Sequence, residues 1–393
     1  MAKYICVLGR QPKISLAELE AIFSHVAPVG TQLALVETSH IDIDRLGGTL
    51  KVAEVLETKP LAYLSSLPAG KITLGISDFR RNASAKTAQN EALFLKRQLK
   101  SRDGSIRIIP NHDGPILSTA TTLHNSLGGR NNHKIELILT DYYTSRVVGV
   151  QNIAAYTKRD QARPARDARV GMLPPKLAQI LVNLSVGNQP SGRLLDPFCG
   201  TGVVLQEALL MGYSVYGTDL EPRMLDYSRR NLEWLSRVSP EPRARMSDEP
   251  RNDAREERSP ERAHLDFSLE QGNAESYTWQ PPINFVSSEI YLGQPFSAPP
   301  SDLKLKEVQH VTLAILRDFL KNLHRQIQPN TPVTLAIPAW KRPNGHYEHL
   351  KILDELDQLG YNLHRFKNLE QSDLLYYRPD QVVAREILVL RSK

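Results

Sequence analysis

Two periods of apolar residues run through the chain, one of about two residues as in strands and one of about 3.6 residues as in helices. In residues 1–65 they predict a β-α-β-α-β order, with strands at 4–8, 33–36 and 61–64 and helices at 16–23 and 43–56. Ser15 and Glu18 have the spacing of a capping box at the start of the first helix. This order favours a small ferredoxin-like unit. A second α/β segment begins near residue 71, with a predicted helix at 85–99 and strands near 135–139 and 147–151.

The second half of the chain alternates strands and helices as a doubly wound sheet does. Two prolines, at 174 and 175, begin a predicted helix that runs to about Leu184. The predicted strands lie at 193–196, 214–218, 266–270, 283–287 and 332–337, and a closing hairpin joins 374–378 to 385–390. Residues 239–263 break the pattern, because arginines and acids are mixed there with almost no large apolar residue. We expect a disordered surface insertion, which is either a tolerated loop or an RNA-binding segment.

A glycine-rich turn between a predicted strand and a predicted helix is the most informative motif, and it reads D-P-F-C-G-T-G from Asp196 to Gly202. Such a turn brings backbone close to a nucleotide-like ligand. Asp219 follows the next strand, where an acid can bind both ribose hydroxyls. The motif lacks both the G-x-G-x-x-G pattern and a P-loop lysine, which favours a nucleoside without phosphate, such as S-adenosylmethionine. The alternative is an ordinary strand–turn–helix connection.

Length and cysteine content place the protein in a broad class. At 393 residues the chain is long enough for two or three domains with proper cores. Two cysteines, Cys6 and Cys199, cannot form a disulfide framework, so a reducing compartment is expected. The apolar segment 1–9 is too short for a signal sequence and no apolar run reaches bilayer length. We therefore expect a cytoplasmic protein without a membrane segment.

Positive charge is concentrated in residues 1–170, which hold 23 Lys/Arg against 15 Asp/Glu, or +8. Residues 171–393 hold the remaining 26 Lys/Arg and 28 Asp/Glu, or −2. This asymmetry indicates either a polyanion-binding module joined to a catalytic one or a solvated basic surface. The basic segment at 158–169 either contacts phosphate or forms salt bridges with Asp160 and Asp167. The histidines show no metal-ligand spacing, so no metal is expected.

Three stretches of the chain resemble the THUMP-domain tRNA guanine-N2 methyltransferases, which modify a guanosine at the junction of acceptor stem and D-arm. They are Val7 to Glu20, Arg159 to Ala178 with its R-P-A-R-D and G-M-L-P-P-K-L-A motifs, and the D-P-F-C-G-T-G turn. The resemblance implies an α/β protein with S-adenosylmethionine as cofactor and tRNA as partner. It also implies four parts: a ferredoxin-like domain at 1–65, a THUMP RNA-binding domain at 66–155, a basic linker at 156–170, and a Rossmann-like class I methyltransferase domain at 171–393.

The same resemblance assigns roles to a set of cofactor-binding residues. Gly171 to Leu173 would pack beside the methionine end of the cofactor, and Asp196 with the turn around Phe198, Gly200 and Gly202 would hold its amino-acid portion. Asp219 would take the ribose hydroxyls. Asn273, followed by Ala274, stands where the family usually has Asp next to the adenine amino group. An amide oxygen can still accept that hydrogen bond.

The sequence departs most from the family at the end of the fourth strand. Enzymes that methylate an exocyclic amine have a D/N-P-P-Y loop there, whereas this chain has Ser288-Glu289-Ile290-Tyr291. Tyr291 is suitably placed to stack on a base, and Ser288 occupies the acid position. Glu289 either reaches the amine as its acceptor, or is a solvated loop acid in a site that has lost amine chemistry. Trp279, Trp340 and Phe296 either line the base pocket or belong to the core.

Three functions remain open at this stage. The first is a tRNA methyltransferase that uses S-adenosylmethionine and acts on the N2 amine of a guanosine, with Glu289, Tyr291 and Ser288 as catalytic candidates. The second is a DNA amine methyltransferase, which residues 1–170 disfavour because they resemble RNA-binding domains. The third is a non-catalytic RNA-binding protein with a degenerate site. A working variant site is the favoured hypothesis.

Overall fold

The structure is a computed structural model that describes residues 1–99, 104–129, 131–167, 172–238 and 266–393. The chain forms two compact units, Met1–Ala154 and Ala155–Lys393. Gly171 and the predicted insertion at 239–263 lie outside the described residues. In the part of the chain that is described, no helix combines the length and apolarity needed to cross a membrane.

The first unit is built on one mixed sheet. Its strands are β1 (Ala2–Leu8), β2 (Val26–Pro28), β3 (Leu33–Thr38), β4 (Thr49–Val55), β5 (Ile72–Asp78), β6 (Ile106–Ile108), β7 (Lys134–Leu139) and β8 (Thr144–Val150). Its helices are α1 (Pro12–Ile22), α2 (Pro60–Ser66), α3 (Ala85–Gln98) and α4 (Thr119–His124). The strand order is β2-β3-β1-β4-β8-β7-β5-β6, and β4 pairs antiparallel with β8. The regions predicted as ferredoxin-like and THUMP-like therefore share one sheet, and their assignment to those two families stays a prediction.

Two predicted elements of this unit are wrong. The helix predicted at 43–56 is a short 3-10 turn at Ile43–Arg45 followed by strand β4, because Gly47 and Gly48 interrupt any helix. The backbone amides of those two glycines instead donate to the buried Glu18 carboxylate, each at 2.8 Å. The strand predicted at 61–64 is helix α2, because Pro60 pre-sets the first turn and only Leu64 is buried.

The capping box predicted at Ser15 and Glu18 is also wrong. Helix α1 begins earlier, at Pro12, so Ser15 lies inside the helix and donates its hydroxyl to the Gln11 carbonyl at 3.1 Å. Glu18 is buried against the 47–48 turn and so takes no part in a cap. A distant backbone turn thus uses the carboxylate that the local pattern assigned to the helix terminus.

The second unit holds a larger sheet. Its strands are β9 (Arg193–Asp196), β10 (Ser214–Asp219), β11 (Phe267–Gln271), β12 (Phe285–Glu289), β13 (Pro332–Lys341), β14 (Tyr347–His349), β15 (Tyr361–Leu363), β16 (Leu375–Tyr376) and β17 (Val383–Ser392). Its helices are α5 (Ile153–Gln161), which begins at the end of the first unit, α6 (Pro175–Val186), α7 (Val203–Leu210), α8 (Pro222–Val238) and α9 (Asp302–His324). Further 3-10 turns lie at Leu353–Glu355 and Gln371–Asp373.

The strand order of the second unit is β11-β10-β9-β12-β13-β17-β15, with β14 on β13 and β16 on β17. The first five strands are parallel, and β17 runs antiparallel to β13. Chain order reverses between β9 and β12, which is the switch point where open α/β sheets bind ligands. This topology confirms the predicted doubly wound, Rossmann-like fold, and the β16–β17 pairing confirms the predicted closing hairpin.

Candidate active site

Acidic residues end three parallel strands that meet at the carboxyl edge of the second sheet. They are Asp196 on β9, Asp219 on β10 and Glu289 on β12. Because β9 pairs with both β10 and β12, these side chains surround the switch point. The three carboxyl groups therefore lie on adjacent strands at one edge of the sheet.

The glycine turn after β9 is held by its own backbone and by helix α8. Gly200 and Gly202 adopt φ angles of +50° and +78°, which favour glycine. The Ser228 hydroxyl donates to the Gly200 carbonyl at 2.7 Å, and a Cβ on Gly202 would lie 2.9 Å from that hydroxyl oxygen. The Cys199 thiol is buried beside this contact, and burial raises its pKa. The turn is therefore a fixed piece of backbone rather than a loose connection.

Asp219 is half-buried and binds the backbone of two loops. Its Oδ2 accepts a hydrogen bond from the Gly200 amide at 2.8 Å, and its Oδ1 accepts one from the Glu221 amide at 2.9 Å. Burial raises the pKa of Asp219, while these backbone donors oppose the rise. Since a carboxylate oxygen accepts more than one hydrogen bond, both oxygens remain able to accept from ligand hydroxyls.

Asp196 is wholly buried and links the glycine turn to strand β12. Its Oδ1 accepts from the Ser288 hydroxyl at 2.6 Å and from the Phe198 amide at 3.3 Å. Burial raises the pKa of Asp196 to about 7, against the effect of both donors. Ser288, which is itself buried, therefore contacts Asp196 at the start of the glycine turn instead of facing solvent.

Glu289 forms an ion pair that the sequence did not indicate. Its Oε1 accepts from Arg385 Nε at 2.8 Å, and the two side chains are only 16% and 5% exposed. Burial raises the pKa of Glu289, and the Arg385 guanidinium opposes that rise. Tyr291, two residues beyond, is 46% exposed. Glu289 is thus a half-buried, paired carboxylate and not a solvated loop acid.

The other predicted cofactor residues occupy different environments. Leu173 and Ala274 are buried, and Phe198 packs edge-on against Phe319 with 5.1 Å between ring centres. Asn273 is exposed, and its Oδ1 accepts from the Glu275 amide at 3.0 Å, as in a turn. Gly171 lies outside the described residues, so its position stays a prediction.

The predicted basic linker packs onto the second unit. Arg159 on α5 pairs with Glu207 on α7, with Nε and Oε1 2.6 Å apart, and Arg223 pairs with Asp167 at 2.8 Å. The buried Asn231 side chain donates to both the Ala165 and the Thr201 carbonyls. Arg159 is therefore in a salt bridge, but its partner is Glu207 and not the predicted Asp160 or Asp167, and Asp167 pairs with Arg223 of α8. These contacts also attach residues 159–167 to the glycine turn, which sequence spacing alone did not reveal.

Three aromatic residues were candidates for a base pocket, and the structure also bears on metal binding. Trp279 and Trp340 are buried in the core and do not line an open pocket, and Phe296 is partly buried and packs against the same core. Within the described ranges, no group of three or more His, Cys, Asp or Glu side chains is arranged to hold a metal ion.

The strand order and the acids at its carboxyl edge define a Rossmann-like class I methyltransferase domain. Residues 163–337 match the family model UPF0020, described as the RMKL-like methyltransferase domain. A tRNA (guanine(10)-N2)-dimethyltransferase of Methanothermobacter thermautotrophicus is 44% identical over 92 residues, covering 22% of this chain and 27% of that protein. Its counterpart in Methanocaldococcus jannaschii is 27% identical over 151 residues, covering 34% of this chain and 42% of that protein.

One solved structure, TrmN from Thermus thermophilus, aligns over 100% of both chains with a TM-score of 0.47 and 14% identity. The matched regions span less than half the length of the two curated relatives. Together, the family model and the curated relatives confirm the resemblance inferred from the sequence: residues 163–337 are similar to a methyltransferase domain, and shorter stretches are similar to tRNA guanine-N2 dimethyltransferases.

Proposed function

We propose that this protein is a tRNA methyltransferase that uses S-adenosylmethionine to methylate the exocyclic N2 amine of a guanosine. The observation that carries the proposal is the half-buried Glu289 carboxylate, held by Arg385 at the same sheet edge as Asp196 and Asp219. A carboxylate in that place is the acceptor that an amine needs when it loses a proton. The names of the curated relatives support the choice of tRNA and of guanine N2.

The residues at the sheet edge fit the cofactor by their chemistry. Asp219 offers two carboxylate oxygens to ribose hydroxyls, and Asp196 with the Gly200 to Gly202 backbone suits an amino-acid group. Asn273 and Ala274 lie after β11, where an adenine ring would be held, and Leu173 would contact the methionine end together with Gly171. When bound, S-adenosylmethionine supplies an activated methyl group on its sulfonium.

Glu289 and Tyr291 would act on the guanine. Glu289 Oε1 is held by Arg385, so Oε2 is left to accept a hydrogen bond from the N2 amine and then its proton. Tyr291 is exposed beside it and would stack on a base that has left its helix, which is worth roughly 1–3 kcal/mol. Ser288 would act indirectly, by orienting Asp196. The N–C bond would form as the S–C bond of the sulfonium breaks, with the neutral thioether as leaving group, and the amine proton would pass to Glu289 Oε2 and from there to water.

The first unit would bind the tRNA. We assign residues 1–65 to a ferredoxin-like domain and 66–155 to a THUMP-like domain, on the strength of the N-terminal motif and the charge of +8 over residues 1–170. Phosphate contacts of this kind weaken steeply with salt. A fragment of residues 1–154 that folds by circular dichroism but binds no tRNA at low salt would contradict this assignment.

The decisive experiment is mass spectrometry of nucleosides from tRNA that has been incubated with the protein and isotope-labelled S-adenosylmethionine. We expect label in N2-methylguanosine or N2,N2-dimethylguanosine, and a Tyr291→Ala variant should lower that label. Label in DNA substrate alone would favour a DNA methyltransferase. Cofactor binding by calorimetry without label in any nucleic acid would favour the non-catalytic alternative.

A further inference from the structure

Arg385 is a buried cation that enters the candidate active site from the far end of the chain. It lies on β17, opposite Pro338 of β13, and its side chain is 5% exposed. Its Nε donates to Glu289 Oε1 at 2.8 Å across 96 residues of sequence. Its Nη1 donates to Gln381 Oε1 at 3.3 Å, in the turn that leads from β16 into β17. The closing hairpin therefore carries a cation to the strand that holds Glu289.

The pair leaves one carboxylate oxygen unused. Among the described residues, Glu289 Oε1 is bound by Arg385, whereas Oε2 accepts no hydrogen bond from the protein. One oxygen is thus fixed by the protein, while the other has no protein donor and can accept a hydrogen bond from a ligand.

Among the described residues, Arg385 is the only cation that acts as a counter-ion close to Glu289. On β9, Asp196 carries a like charge that interacts unfavourably with Glu289. Paired residues 333–336 of β13 are apolar or Thr, and Lys176 of α6 lies over the Tyr156 ring at 5.2 Å. Tyr291 is the titratable group that follows on the same loop. Burial favours the protonated form of Glu289, and Arg385 is the group that opposes this.

We propose that Arg385 is the positioning residue for Glu289: it keeps the half-buried carboxylate ionised and fixes Oε1, so that Oε2 is presented to the substrate amine. This inference rests on the proposed function, since it concerns the same site. An acceptor that is already protonated cannot take the amine proton, so loss of Arg385 would convert Glu289 into its inactive form at neutral pH. Arg385 itself would not contact the guanine.

The kinetic test compares Arg385→Met and Arg385→Lys with the parent, and Arg391→Met on the same strand is the matched control. Removing an opposite charge at this distance raises a carboxyl pKa by roughly 1–3 units. We expect Arg385→Met to shift the acid limb of the kcat–pH profile to higher pH by that amount. Near pH 7 kcat should fall about tenfold or more, and at higher pH kcat should recover. KM for tRNA and cofactor affinity should change little. Arg385→Lys should restore much of the profile, and Arg391→Met should match the parent.

A double variant separates positioning from packing. In a Glu289→Gln background, Arg385→Met should cost no further turnover, because Arg385 acts through the carboxylate that is already gone. A loss of kcat that is equal at every pH, or a further loss in the Glu289→Gln background, would overturn the proposal and leave Arg385 as a packing residue. If the single Glu289→Gln variant keeps full activity, this result would instead refute the assignment of Glu289 in the proposed function.

A second measurement does not depend on methyl transfer. In Arg385→Met the folded-state pKa of Glu289 should lie further above its unfolded value, so stability is retained at low pH and lost as pH rises through that range. Thermal unfolding should therefore show a larger loss of Tm, relative to the parent, at about pH 8 than at about pH 5, and the difference should vanish in the Glu289→Gln background. A pH-independent loss of Tm would contradict the proposal even if the protein methylates no RNA.

Discussion

Substitution of Asp219 by Ala tests the cofactor site most directly. In the structure, Asp219 Oδ2 accepts from the Gly200 amide at 2.8 Å and Oδ1 from the Glu221 amide at 2.9 Å. The variant would remove the acceptor for the ribose hydroxyls and also the group that holds the glycine turn in place. Both effects weaken the nucleoside site, while the turn keeps its Ser228 contact at 2.7 Å.

The magnitude follows from the charge of the lost acceptor. A hydrogen bond to a charged group contributes about 1.5–3 kcal/mol, which corresponds to roughly a tenfold to a hundredfold loss of affinity. The Gly200 amide, left without its partner, adds a stability cost of about 1–3 kcal/mol if water cannot reach it. We therefore expect weaker binding together with a moderately lower Tm.

Calorimetric titration with S-adenosylhomocysteine measures the affinity, and circular dichroism checks the fold. Asp219→Asn is the informative partner variant, because it keeps one acceptor oxygen and should lose less affinity than Asp219→Ala. Glu221→Gln is the control for local charge, because the Glu221 carboxylate acts on Asp219 only electrostatically while its backbone amide makes the hydrogen bond. Unchanged affinity in a folded Asp219→Ala protein would show that the nucleoside does not bind at the end of β10.

Three further predictions follow from other contacts. Glu289→Gln should leave cofactor and tRNA binding nearly intact and lower the methylation rate by about a hundredfold to ten-thousandfold, as single-turnover rates would show; a parent-like rate would remove Glu289 from the mechanism. Cofactor affinity should fall as pH drops below about 7, where Asp196 protonates, and Ser288→Ala should move this loss to higher pH in calorimetric titrations, because the buried carboxylate loses a donor; an unmoved pH profile would contradict that coupling. Lys51→Met should destabilise the protein by about 3–5 kcal/mol in urea unfolding, because Glu136 would stay buried without its cation, now 2.5 Å away; a variant as stable as the parent would show that this pair contributes nothing.

Local sequence rules account for the parts of the site that depend on neighbouring residues. The glycine turn needs positive φ angles at Gly200 and Gly202, and residues without a side chain are the ones that tolerate them. Strand β9 ends at Asp196 as predicted, because an apolar pair followed by an acid and a turn is a signal within a few residues. The acid after the next strand could be predicted in the same way, because Asp219 ends β10.

The same rules failed where distant residues compete for a side chain or a backbone group. Glu18 fits a capping box by spacing, but the amides of Gly47 and Gly48 bind it in the folded unit. Lys51 lies in a segment with helical spacing, yet it is buried in strand β4, where it pairs with Glu136 of β7. Ser77 of β5 and Thr122 of α4 bind the same carboxylate, so the whole cluster comes from outside the segment. The spacing of apolar residues does not reveal such partners, because they come together only when the sheet forms.

The amino-acid sequence by itself therefore determined the fold class, the glycine turn and the acids that end the strands. These features depend on backbone geometry and apolar spacing over short distances. Only the tertiary structure decided what those acids do. Ser288 faces Asp196 because β12 pairs with β9, and Arg385 reaches Glu289 because β17 inserts antiparallel beside β13. Burial there removes water and makes each charge depend on one specific partner, and strand pairing across the sheet is what chooses that partner.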